Sequence, residues 1–76
     1  MNTHEKFRLA NDPSTEQEVL SELSFSDNAV IRSSIAANTS SSLQTLSMLS
    51  RDKNVEVIKN LLKNPIYFSG VLYIEQ

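Results

Sequence analysis

The residues of this chain that could do chemistry are few, and their spacing argues against catalysis. Twelve serines are potential nucleophiles, but the one histidine, His4, lies at the N-terminal edge. A hydroxyl nucleophile needs a base held within hydrogen-bond reach, and His4 has no neighbours in sequence that would fix it there. No glycine-rich phosphate loop, nucleophile elbow or paired-carboxylate motif occurs, and there is no cysteine. Asp12, Asn38 and Asn64 recur at one spacing, but nothing brings further carboxylates or imidazoles beside them, so they read as caps and turn-formers rather than metal ligands. No catalytic residue, metal site or cofactor is expected.

Two other groups of side chains suit recognition. Lys6, Arg32 and Lys59 fall at or near matched positions, and with Arg8, Arg51, Lys53 and Lys63 they make a basic stripe conceivable. Such a stripe would be an electrostatic footprint for phosphates, with a steep salt dependence as its signature. The chain as a whole has nine acidic against seven basic residues, a formal charge of -2, so a solvated face is the plainer reading and a nucleic-acid partner is not the expectation. The segment Ile66 to Ile74 is the most apolar in the chain. Helical spacing would bury Phe68, Leu72 and either Ile66 or Val71, leaving Tyr67, Tyr73 and Ile74 as an apolar patch of the kind that marks interfaces. Tyr67, Tyr73, Ile74, Arg32 and Lys59 are therefore the candidate partner-binding residues.

What must position these residues is a repeat. Leu9-Ala10-Asn11-Asp12-Pro13-Ser14, Ile35-Ala36-Ala37-Asn38-Thr39-Ser40 and Leu61-Leu62-Lys63-Asn64-Pro65-Ile66 align at a spacing of 26 residues. The same offset pairs Leu20 with Leu46 and Leu72, Leu23 with Leu49, Asn28 with Asn54, and Ile31 with Val57. A fixed period in the range of roughly 20–50 residues is the mark of stacked supersecondary units. Apolar residues recur at helical spacing, and no alternating strand pattern appears. About six short helices follow. Ser14 with Gln17 and Thr15 with Glu18 fit capping boxes for the second, Asp27 or Asn28 starts the third, and Asn64-Pro65 opens the last. The stretch from Glu5 to Ala10 reads as a truncated opening half-repeat, with residues 1–4 frayed. The expected core is Leu9, Leu20, Leu23, Ile31, Ile35, Leu46, Leu49, Val57, Leu61 and Leu72.

The expected architecture is all-α: one domain over 1–76, a short α-solenoid of about two and a half two-helix repeats. At 76 residues its stability margin should be thin. The N-terminus lacks a signal-peptide pattern and no apolar run nears the ~20 residues that span a bilayer, so a cytoplasmic location without membrane contact is the default expectation.

The unit Asp27-Asn28-Ala29-Val30-Ile31-Arg32-Ser33-Ser34-Ile35-Ala36-Ala37-Asn38 resembles the leucine-rich repeat variant, whose pattern runs Asp, a spacer, Val-Arg, two residues, Val-Ala, one residue, Asn-Pro and a leucine-containing helix. Asp52 to Asn64 is a looser match, with Val57-Ile58-Lys59 and Leu61-Leu62, and Leu9 to Pro13 matches its ending. The resemblance covers roughly residues 5 to 72, and HEAT-like and armadillo-like repeats are close to it. It implies a right-handed stack of helix pairs serving as a scaffold, with one element of each pair able to be a short 3₁₀ segment. The period is slightly longer than is usual in that family, and Thr39 stands where it has proline. The iron–sulfur module of some relatives needs cysteines that this chain lacks. The function expected is a small non-catalytic module that binds a partner protein or itself. A nucleic-acid-binding repeat and a structural fragment of a larger solenoid are the alternatives.

Overall fold

The computed structural model describes the backbone of residues 1–75 and the side chains of residues 1–70. Six helices carry the fold, and no strand occurs among the described residues. They are α1 (Thr3–Ala10), α2 (Gln17–Leu23), α3 (Ala29–Ala37), α4 (Leu43–Leu49), α5 (Val55–Lys63) and α6 (Pro65–Glu75). Helices α1, α3 and α5 pack side by side in one layer, and α4 packs on α6 in the other. The molecule measures 41 × 25 × 16 Å.

The helices start where side chains can satisfy orphan backbone donors. Asn2, Asn28 and Asn54 each cap a helix of the first layer, accepting from Glu5, Val30 and Glu56 N–H groups at 2.8, 2.9 and 2.9 Å. The Asn2 cap brings Thr3 and His4 into the first turn of α1. With eight residues against nine in α3 and α5, α1 is a near full-length counterpart of them rather than a truncated half-unit.

The capping boxes expected at α2 do not form. Its N-cap is Glu16, which makes no side-chain cap bond. Instead the Thr15 hydroxyl donates to the Leu9 carbonyl at 2.7 Å, and Ser14 N–H donates to Asp12 Oδ1 at 2.8 Å. The end of α1 has unpaired carbonyls of its own, and the hydroxyl answers one of them. One unit later Ser41 donates to the Ile35 carbonyl at 2.8 Å in the same manner, and Ser42 caps α4. In the third unit those positions hold Tyr67 and Phe68, which have no short hydroxyl, and α6 begins at Pro65 instead. Gly70, the only glycine, lets α6 lie close on α4: a Cβ there would sit 2.5 Å from Leu43 Cδ1.

The core contains Leu20, Leu23, Ile31, Ile35, Leu46, Leu49, Val57 and Leu61, as the periodicity places them, with Leu9 packed at its edge. Ala10 and Ala36 join it fully buried, and Leu72 lies outside the described side chains. The alanines are small because the next helix of the layer crosses there. Their carbonyls are the contact. Asn38 Nδ2 donates to Ala10 O at 2.9 Å and Asp12 O at 3.1 Å; Asn64 Nδ2 donates to Ala36 O and Asn38 O at the same two distances. Each asparagine also accepts, at Oδ1, the N–H two residues on: Ser40 at 2.8 Å and Ile66 at 2.9 Å. Every described buried side-chain polar atom has a partner.

Asp12 holds the corresponding place in the first unit. It makes the acceptor half of the pattern only, since a carboxylate has no proton to donate. Asn38→Asp should therefore set a carboxylate against two carbonyls and destabilise the chain by about 3 kcal/mol or more in urea unfolding. Asp12→Asn, which keeps the Ser14 bond, should leave the unfolding midpoint nearly unchanged.

Candidate functional site

Arg32 and Lys59, placed together by the sequence, have different surroundings. Arg32 sits half-buried near the N-terminal end of α3 and its guanidinium is occupied on both sides. Nε donates to Asp52 Oδ2 at 2.8 Å with Nη2 3.4 Å from Oδ1, and Nη1 donates to the Ser26 carbonyl at 2.8 Å. Ser26 and Asp52 are equivalent positions in successive interhelix loops, each accepting the N–H of the capping asparagine that follows. Arg32 thus ties one loop to the next. Lys59 is exposed on α5, 3.8 Å from Glu56. Lys6 is half-buried on α1, whereas Arg8, Arg51, Lys53 and Lys63 are exposed.

The Arg32 guanidinium, mainly through its hydrogen bond, holds the Asp52 carboxyl below the ordinary carboxylate range. Burial opposes this, while the Asn54 N–H and the arginine charge reinforce it. A carboxyl whose pKa is lower folded than unfolded stabilises the fold above its unfolded value, about 3.9, and that contribution disappears as pH falls through the folded value.

The C-terminal segment is oriented differently from its hydropathy pattern. Tyr67 is half-buried and packs against the core, while Ile66 and Phe68 are 42% and 57% exposed. The expectation that Phe68 would be covered and Tyr67 left seeking cover is thus reversed; of the alternatives Ile66 and Val71, Ile66 is exposed and the Val71 side chain lies outside the described residues. The cause is the early start of α6, which turns Tyr67 and Gly70, three residues apart, toward the rest of the fold. The side chains of Tyr73 and Ile74 lie outside the described residues.

Among the described residues, four of the exposed large apolar side chains lie on α5 and α6, while Met1, Phe7, Phe25 and Val30 are exposed elsewhere. Val55 is 68% and Leu62 59% exposed; with Lys59 between them they form a stripe at positions i, i+4 and i+7 of α5. One unit earlier the same stripe is Ala29, Ser33 and Ala36, and it is covered by α5. Ala36 is fully buried, and Ser33 receives Asn60 Nδ2 at 3.1 Å on its carbonyl and 2.6 Å on its hydroxyl. The Val55 and Leu62 side chains are exposed apolar surface that the sequence pattern did not single out, and Phe68, expected to be covered, is exposed as well. Comparing each apolar position with its equivalent one unit later identifies it.

A shallow groove of about 350 Å³ runs between α1, α3 and α5, with Phe7, Val30, Ser33, Ser34 and Asn60 among its lining residues. The Ser33 and Ser34 hydroxyls donate to the Glu56 and Val30 carbonyls, and no imidazole is near them. Among the described residues no group of three or more His, Cys, Asp or Glu side chains is placed to hold a metal ion, and no helix is long and apolar enough to cross a membrane.

Compared with protein-family models, curated proteins and solved structures, the chain shows no significant match to any of them.

The ion pair gives a direct test. Arg32→Met should lower stability by about 2 kcal/mol near neutral pH. Asp52→Asn should flatten the acid limb of the stability profile below about pH 4, where the natural chain loses the contribution of the pair.

Proposed function

We propose that this chain is a short right-handed α-solenoid of the kind the leucine-rich repeat variant and HEAT-like repeats build, and that it acts as a non-catalytic module binding a partner protein. The observation that carries the reading is the recurrence of one set of hydrogen bonds at the 26-residue spacing: the asparagine donating back to Ala10 and Asp12, then to Ala36 and Asn38. A unit defined by bonds to its predecessor is a stacking unit, and stacks of this kind work by displaying side chains in register on a rigid frame.

The exposed apolar residues Val55, Leu62, Ile66 and Phe68 favour a protein partner, since burial of apolar surface is what drives such interfaces. Lys59 lies among them as a polar neighbour, and Tyr67, Tyr73 and Ile74 belong to the same end of the chain. Arg32 contributes by holding two loops in register rather than by offering a free guanidinium. That weakens the basic-stripe reading, because a phosphate contact at Arg32 would have to displace Asp52.

The test is affinity capture of the tagged chain from a lysate of its host cell, with low- and high-salt washes and identification by mass spectrometry. A specific protein retained at high salt and lost with Leu62→Glu is the expected outcome. Recovery of nucleic acid alone, released by salt, would overturn the reading in favour of phosphate binding.

A further inference from the structure

The two ends of the stack are chemically unlike. Positions that pack a unit onto its predecessor are Ile31, Ser34, Ile35 and Asn38 in α3 and its following turn, and Val57, Asn60, Leu61 and Asn64 in α5 and its turn. The equivalent residues of the first unit are Glu5, Arg8, Leu9 and Asp12. Two buried aliphatic positions have become a glutamate, and the donor carboxamide has become an acceptor-only carboxylate. A charged outer face of this kind is how a terminal unit is closed against further stacking.

The other end is built to receive. The Leu62 and Asn64 carbonyls stand where Ala10 and Asp12, and then Ala36 and Asn38, accept a carboxamide, and the backbone there repeats: Asn38 has φ, ψ of −78°, 120° and Asn64 −81°, 114°. The Leu62 carbonyl has no local donor. Residue 65 is proline and lacks an N–H, and the Ile66 N–H is committed to Asn64 Oδ1 at 2.9 Å. Among the described residues nothing else donates to it. The Asn64 carbonyl takes one bond, from Phe68 N–H at 3.1 Å, as the Asn38 carbonyl takes one from Ser41 at 3.1 Å before receiving its carboxamide. Leu62 itself is exposed at this end of α5, and Val55, two turns earlier on the same face, is exposed as well.

From this we infer that the C-terminal face docks a helical segment of another polypeptide that ends in an asparagine three residues after an apolar one, as Leu61–Asn64 and Ile35–Asn38 do. The carboxamide bonds the Leu62 and Asn64 carbonyls, and the apolar residues cover the Val55–Leu62 stripe. The occupant follows from continuity with the repeat interface, so the inference rests on reading the chain as a stack. A second natural copy, head to tail, does not fit: it would bring the Asp12 carboxylate onto two carbonyl oxygens.

The converted chain Glu5→Val, Arg8→Asn, Asp12→Asn carries such a segment on its own N-terminal face and is the probe. In sedimentation at increasing concentration its average mass should rise to about three times that of the natural chain or more, because a head-to-tail contact does not close. Adding Leu62→Asp should return it to the natural mass. Restoring Asp12 alone should weaken association about tenfold, the loss expected when a donor becomes a second acceptor. A converted chain that keeps its helical circular dichroism but has the natural mass overturns the inference. So does association indifferent to Leu62→Asp or to Asp12. If the converted chain loses helicity, the Glu5→Val, Asp12→Asn chain, which keeps Arg8, is followed by amide NMR as its concentration is raised. Shifts confined to the region of residues 62–66 and the N-terminal face support the inference, and their absence overturns it. None of these readings uses a lysate. A captured protein whose binding ignores Leu62→Asp would defeat this inference and leave the broader one standing.

Discussion

A helix in water can leave its last carbonyls to the solvent, but a helix that another one crosses cannot, because a buried unpaired carbonyl costs about as much as the interface gains from a whole aliphatic side chain. In this chain one residue type resolves that conflict. The asparagine carboxamide is short enough to reach its own backbone and has an acceptor and two donors. At Asn38 the oxygen takes the Ser40 N–H and the nitrogen bonds the Ala10 and Asp12 carbonyls, so one side chain shapes its own turn and completes the end of the preceding unit. Asn64 does the same for Ala36 and Asn38. Glutamine is longer by a methylene and aspartate lacks the donors.

Much else follows from that bond pair. The two residues whose carbonyls are bonded, Ala10 and Ala36, are small and fully buried. The units must keep a common length, so the hydroxyls that fold the intervening turns, Thr15 and Ser41, recur in register and reach back to Leu9 and Ile35. Arg32 supplies a second tie between the loops at Ser26 and Asp52, but Ile58 stands at its place one unit later, so that tie is local while the asparagine contact propagates.

The helices and most of the core were legible in the sequence because burial of aliphatic residues at helical spacing dominates the energetics of short amphipathic segments. The role of Asn38 and Asn64 was only half legible. Their spacing marked them as turn-formers, but the donors act on residues 26 and 28 positions away, and local pattern carries no trace of that. The same blindness reversed Tyr67 and Phe68: hydropathy treats them alike, whereas the start of α6 at Pro65 sets which one turns inward. Arg32 read as a free cation because Asp52, its partner, is 20 residues distant. The exposed stripe at Val55 and Leu62 looks like core in any single unit and becomes surface only when units are compared.

The most direct test of the central role given to the asparagines is the exchange of their side-chain amide protons, followed by NMR in the natural chain. If Asn38 and Asn64 hold the units together, their carboxamide protons exchange only through the opening that exposes the core, as slowly as the amides of Ile35 and Leu61. Exchange of those protons as fast as the carboxamide of the exposed Gln17 would contradict the account and leave the units joined by apolar contact alone.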